Sequence, residues 1–126
     1  MPMQCLCPSG RLYVDCCQPY HNGKAAPSAE VLMRSRYSAY VLKDGAYLYK
    51  SWSKQTRPSK KSLKEDNDTQ WLGLEILRTE HGTALDTTGV VEFIARYQAP
   101  NGAAELHETS RFVRENGKWV YLDGDY

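Results

Sequence analysis

The segment SRFVRENGKWVYLDG, Ser110 to Gly124, decides how this chain folds. It contains two alternating runs separated by Asn116-Gly117. Both of those residues tolerate positive φ, so the pattern predicts a β-hairpin with a two-residue turn. Such a turn sets Glu115 opposite Lys118, Phe112 opposite Tyr121 and Ser110 opposite Asp123.

The same logic extends toward the N-terminus. GVVEFIARYQ (89–98) alternates, and a second Asn-Gly pair, Asn101-Gly102, follows it. A two-residue turn there pairs Phe93 with Ser110, Ala95 with Glu108 and Glu92 with Arg111. WLGLEILRTEHG (71–82) also alternates, with Leu72, Leu74 and Ile76 on one side. The second half of the chain therefore reads as a four-stranded antiparallel meander.

This register divides the side chains between two faces. One carries Val91, Phe93, Ala95, Tyr97, Leu106, Glu108, Ser110, Phe112, Trp119, Tyr121 and Asp123, and it is the more aromatic. That face is assigned to the core. Glu108, Ser110 and Asp123 interrupt it close together, and polar groups on an inner face need partners or a purpose. Glu92 opposite Arg111 reads as an ordinary cross-strand ion pair on the outer face.

The first half is helical. Met33, Tyr37, Tyr40 and Val41 recur at helical spacing in AEVLMRSRYSAYVLKDG (29–45), with Ser28 as N-cap and Gly45 as the stop. Arg34 and Arg36 flank this stripe. GAYLYKSW (45–52) is a second, short aromatic helix. QPYHNGKAAPS (18–28) reads as a turn-rich connector. The polar stretch 53–70 reads as a solvated surface face with room for one short helix. Helices followed by a meander make an α+β domain, its helices packed on one sheet face.

Composition excludes several classes. A chain of 126 residues fits one domain of ordinary size with its own core. Sixteen basic and fifteen acidic residues leave no excess for a general nucleic-acid grip. No apolar run is long enough to cross a bilayer, and the first residues lack a secretory pattern, so the expected compartment is the cytoplasm. His21, His81 and His107 are scattered, no nucleophile–base pairing emerges from spacing, and no phosphate loop is present. A non-catalytic role is favoured over an enzyme.

All four cysteines lie between Cys5 and Cys17, in CLCPSGRLYVDCC. Cys5, Cys7, Cys16 and Cys17 form two pairs joined by a short loop. Four thiolates suit one tetrahedral zinc ion, the favoured reading. Disulfides, a redox dithiol and an iron–sulfur cluster compete: adjacent cysteines bridge only with strain, C-x-x-C is absent, and ferredoxin spacings differ. His21 is a spare ligand that could replace Cys17. A zinc ion with four protein ligands has no open position, so the knuckle is structural and its surface is free for a partner.

The cysteine stretch resembles the SEC-C motif, CPCGSGKKYKKCC, which ends the preprotein translocase ATPase SecA and occurs in small bacterial proteins. Cys5, Cys7, Ser9, Gly10, Tyr13, Cys16 and Cys17 match. Leu6 and Pro8 depart from it, and Val14 and Asp15 replace frequent lysines. Nearly the whole chain resembles the YchJ family of uncharacterised bacterial proteins. That likeness is carried by the cysteines, LMRSRYSAYVLKD (32–44), YLYKSW (47–52), WLGLEI (71–76) and SRFVRENGKWVYLDG (110–124).

The resemblance implies a zinc knuckle over residues 1–22 and an NTF2-like domain over 23–126. The latter is a cystatin-like cone with helices packed on a curved four-stranded antiparallel sheet. Its interior nominates Arg34, Tyr37, Trp71, Glu108 and Asp123 as pocket residues. Two functions follow as expectations. The first is a zinc-binding module that docks on a protein, in the translation or secretion machinery. The second is a small-molecule binder or enzyme, with Glu108 or Asp123 as acid or base and Arg34 or Arg36 orienting an anionic group. A homodimer formed through the sheet is a third.

Overall fold

The computed structural model describes Cys5, Cys7 and residues 11–59, 70–83 and 85–125. A 3-10 turn, Tyr13–Asp15, and a four-residue helix α1, Gln18–His21, precede the long helix α2, Ala29–Leu42. A short helix α3, Gly45–Lys50, leads to the strands β1 (Gln70–His81), β2 (Thr88–Ala99), β3 (Gly102–Glu115) and β4 (Lys118–Asp125). The strands form one antiparallel sheet in the order β1-β2-β3-β4, the expected meander. Most of the polar stretch between α3 and β1 lies outside the described residues, as do Leu6 and Pro8.

Helix α2 begins where its cap dictates. Ser28 is extended, and its Oγ accepts the Val31 N–H at 3.2 Å. The helix ends before Gly45. Lys43 takes the left-handed conformation (φ 61°), and the following Asp44 N–H bonds back to the Ala39 carbonyl at 2.8 Å. Asp44 then caps α3 through the Tyr47 N–H, so Gly45 opens a helix instead of closing one. The supposed connector also holds α1, which has a proline in its first turn.

The final hairpin keeps its expected register only in part. Glu115 pairs with Lys118 and Phe112 with Tyr121, around Asn116 and Gly117 at φ 53° and 78°. A bulge between Arg111 and Phe112 then shifts the ladder. Ser110 faces Gly124, and Asp123 faces Arg111 on the outer side, correcting the expected Ser110–Asp123 pair.

At the preceding turn the central residues are Pro100 and Asn101, because Ala99 pairs with Gly102. Proline pre-sets φ for the first central position, and Gly102 supplies the positive φ (124°) just beyond. Phe93 thus faces Glu108 and Glu92 faces Thr109, a shift of two residues. An even shift leaves every side chain on its assigned face. In β1, a bulge between Trp71 and Gly73 turns Leu72 outward, 49% exposed, and Trp71 takes the place expected for it beside Leu74 and Ile76.

The inner sheet face packs on α2, which is buried on several sides. Leu32, Met33 and Tyr37 join Val91, Phe93, Ala95, Phe112 and Trp119 in the main core. The four cysteines belong to that same cluster, so the knuckle packs into the domain rather than beside it. The outer face carries ion pairs, Glu92 with Arg78, Arg96 with Glu75 and Glu105, and Arg111 with Asp123 and Asp125, and Glu92 also hydrogen-bonds the His107 Nε2. Residues 51–53 cover part of the β4 edge: the Ser53 N–H donates to the Tyr121 carbonyl and the Tyr121 N–H to that of Ser51.

Candidate functional site

Two sites flank α2. On one side the sulfurs of Cys5, Cys7, Cys16 and Cys17 lie within 4.8 Å of one another, and all four residues are buried. Neighbouring sulfurs stand 3.4 Å (Cys5–Cys7, Cys7–Cys16) and 3.8 Å (Cys16–Cys17) apart, and none is in a disulfide. Thiolates bound at ~2.3 Å to a tetrahedral ion would be about 3.8 Å apart, so the donor set fits a soft metal ion. Local structure brings them together. The Cys5 N–H bonds the Arg11 carbonyl at 2.8 Å, closing the loop, and the 3-10 turn delivers Cys16 and Cys17 to the start of α1.

The surroundings fix this cluster to α2. Ser38 donates its hydroxyl to the Cys17 sulfur at 3.3 Å and touches that of Cys5 at 3.5 Å. The neighbouring Cys7 sulfur and burial push the Cys17 thiol above its ordinary range, while the Ser38 hydroxyl pulls it down. A cation among sulfurs this crowded would favour their thiolate form. Arg34 donates to the Cys7 carbonyl at 3.1 Å and pairs with Glu30. His21 is not in the cluster. Its Nδ1 meets the Tyr13 hydroxyl at 2.6 Å and its Nε2 donates to the Ser35 carbonyl at 2.8 Å, so it braces the knuckle against α2. Both ring nitrogens are occupied, which rules it out as the spare ligand.

On the other side, α2 and the sheet enclose a cavity of 430 Å³. Its deep wall holds Met33, Arg36, Tyr37, Phe93, Glu108 and Ser110, all buried; Tyr40, Trp52, Trp71, Tyr97 and Tyr121 are half-buried around it. The Glu108 Oε2 accepts the Ser110 hydroxyl at 2.5 Å and the Tyr121 hydroxyl at 2.8 Å. Arg36 is 2% exposed. Its Nη1 donates to the Leu48 carbonyl (3.0 Å) and the Ser51 hydroxyl (2.7 Å). Its guanidinium carbon lies 4.8 Å from the ring centres of both Trp52 and Tyr121.

The structure therefore brings Tyr37, Trp71 and Glu108 together and leaves two nominees out. Arg34 points to the knuckle, and Asp123 pairs with Arg111 at 2.5 Å on the outer face. Sequence reading weighed Arg36 as an orienting group without placing it among the pocket residues; Arg36 lies two residues beyond Arg34, on a different side of the helix. It missed Gly124 entirely. A Cβ at Gly124 would stand 2.2 Å from the Glu108 Oε2, so this glycine makes room for the carboxyl group. Gly124→Ala is expected to displace Glu108 and destabilise the fold by ~1–3 kcal/mol, read as a lower urea midpoint at unchanged slope.

Comparison with known proteins agrees with this geometry. Residues 28–124 match the family model described as YchJ, middle NTF2-like domain. A UPF0225 protein of Xanthomonas oryzae pv. oryzae is 53% identical over 120 residues, covering 93% of this chain and 92% of that protein. One from Streptomyces coelicolor is 49% identical over 123 residues, covering 95% and 94%. Among solved structures, a SEC-C motif containing protein from Rhodopseudomonas palustris superimposes with a TM-score of 0.86 at 34% identity, over 98% of both chains. Another, from Psychrobacter arcticus, gives 0.81 at 34% identity, over 94% of this chain and 80% of that one. With its cysteine cluster seated on the helix that also walls the sheet cavity, this chain belongs to the YchJ (UPF0225) family and carries that family's NTF2-like fold.

Proposed function

We propose that the chain is a cytoplasmic zinc-binding protein whose knuckle clips the N-terminus to α2 and presents a surface to a protein partner in the translation or secretion machinery. The supporting observation is the convergence of four buried, unbridged cysteine sulfurs within 4.8 Å. Zinc is the ion favoured by an all-thiolate tetrahedral set, and reduced thiols suit a reducing compartment. Four protein ligands leave no coordination position for substrate, so the ion holds structure and performs no reaction. Arg34 places a cation beside a site whose formal charge would be negative. Leu12 and Val14 are 37% and 56% exposed on the outer side of the knuckle and supply apolar contact area.

Two measurements test this reading. Protein purified without chelator is expected to carry about one zinc per chain by mass spectrometry. Absence of zinc from freshly reduced protein overturns the clip. A Leu12→Asp, Val14→Asp double variant is expected to keep its zinc and lose co-sedimentation with purified ribosomes or purified translocase ATPase. Binding by neither wild type nor variant, or equal binding by both, overturns the docking role.

A second reading has its own support. A buried arginine with no carboxylate partner among the described residues, in the wall of a 430 Å³ cavity lined by aromatic rings, suits a small-molecule site. Ligand binding in the cavity and docking through the knuckle use opposite sides of α2, so the two readings are compatible.

A further inference from the structure

The polar groups around the sheet cavity are unevenly matched within the protein. Arg36 spends Nη1 on Leu48 and Ser51, and no carboxylate of the described residues pairs with it. Among the described residues, its Nε–H and Nη2–H donors have no hydrogen-bond acceptor. The Tyr37 hydroxyl makes no hydrogen bond among the described residues, although Tyr37 is 4% exposed. The Nε1–H of Trp52 is buried without an acceptor among the described residues. Arg36, Tyr37 and Trp52 all line the cavity and thus offer it donor groups, of which the Trp52 Nε1–H is a buried one, and buried polar groups are normally satisfied.

Acceptor capacity is also left over. Both hydroxyls that reach Glu108 go to Oε2, and Oε1 has no partner among the described residues. Tyr121 links the two ends: its ring faces the Arg36 guanidinium, and its hydroxyl holds the Glu108 carboxyl. The cavity therefore presents a fixed cation and a fixed carboxyl group on a shared support.

From this arrangement we infer that the cavity binds a free amino acid with an aromatic or large aliphatic side chain. The inference rests on reading the cavity as a ligand site. A ligand carboxylate would meet the Nε/Nη2 edge of Arg36, a planar fork matched to two oxygens, with Tyr37 and Trp52 as further donors. The ligand ammonium would meet Glu108. A simple anion satisfies Arg36 but confronts Glu108, and a simple cation does the reverse. A zwitterion answers both and adds no net charge to a buried site. The depth profile gives the direction of entry. The charged groups lie in the deep wall, and half-buried rings surround them, so the polar head goes in first and the apolar side chain stacks among Trp71, Tyr97 and Tyr40.

The test is calorimetric titration of zinc-replete protein with the free L-amino acids, then with N-acetyl-L-phenylalanine, L-phenylalanine amide and 3-phenylpropanoate. L-Phenylalanine or another large apolar amino acid is expected to bind at one site per chain. Blocking either the ammonium or the carboxylate is expected to weaken binding at least tenfold. Glu108→Gln should lower the preference for L-phenylalanine over 3-phenylpropanoate by a similar factor. Tyr37→Phe, which changes one hydroxyl, should weaken both. If 3-phenylpropanoate binds as tightly as L-phenylalanine, the zwitterion assignment falls and the ligand-site reading stands. If no compound binds at millimolar concentration, both fall.

Discussion

With zinc held as proposed, replacing Cys17 by serine is expected to release it and destabilise the whole domain by at least ~3 kcal/mol, a fall in melting temperature of roughly 10 °C for a chain of this size. The size of the effect follows from where the thiol sits. Cys17 is 1% exposed, shares a core cluster with Leu32, Met33 and Tyr37, and receives the Ser38 hydroxyl. A structural zinc site contributes its binding free energy to folding, because the unfolded chain holds no preformed site. Removing one ligand forfeits much of that term and leaves three crowded thiols with a weakened cation. The loss spreads, since the knuckle braces α2 through Ser38, His21 and Arg34. Metal content and thermal unfolding monitored together provide the check. A variant that loses its zinc yet melts within 2–3 °C of wild type would show that the clip does not support the fold.

The elements that were legible in the sequence are those governed by local chemistry. Asn116-Gly117 announced its hairpin because both residues adopt the positive φ that the turn requires. Ser28 announced its helix because an extended serine before an apolar stripe satisfies orphan N–H groups. The cysteines announced their convergence because all four lie within thirteen residues, in two close pairs joined by a short loop. Residues governed by tertiary packing were less legible. The β-bulge that turns Asp123 outward follows from Arg111 bonding it on one face and from Glu108 needing Gly124 on the other. Neither cause is a neighbour in sequence. Leu72 and Trp71 exchanged faces for the same kind of reason, a bulge that leaves no mark in the alternating pattern.

The two arginines of α2 show the limit most directly. Arg34 and Arg36 have the same chemistry and both flank the apolar stripe. A helix at the surface would expose one flank, but α2 has the cysteine cluster on one side and a cavity on the other. Which arginine serves which site depends on what packs against each face. The sequence contains that information only jointly, across the cysteines, α3 and β4.

Phe112→Ala is the second substitution with a large expected effect, ~3–5 kcal/mol. Phe112 is fully buried and stands at the bulge, paired with Gly89 on one strand and Tyr121 on the other. Truncating its ring removes buried apolar area, opens a cavity that the surrounding sheet and helix can only partly fill, and ends an edge-on contact with Tyr121, whose ring centre lies 5.8 Å away. Tyr121 also holds Glu108 and faces Arg36, so its loosening is expected to disorder the cavity as well as the core. Phe112→Leu fills much of the volume and should lose no more than about half as much. Leu72→Ala removes a side chain that the β1 bulge exposes, and should change stability by less than ~0.5 kcal/mol. Urea denaturation of the three variants at fixed zinc orders them. If Phe112→Ala and Leu72→Ala cost the same, the inner face does not carry the core, and the packing that positions both sites is wrong.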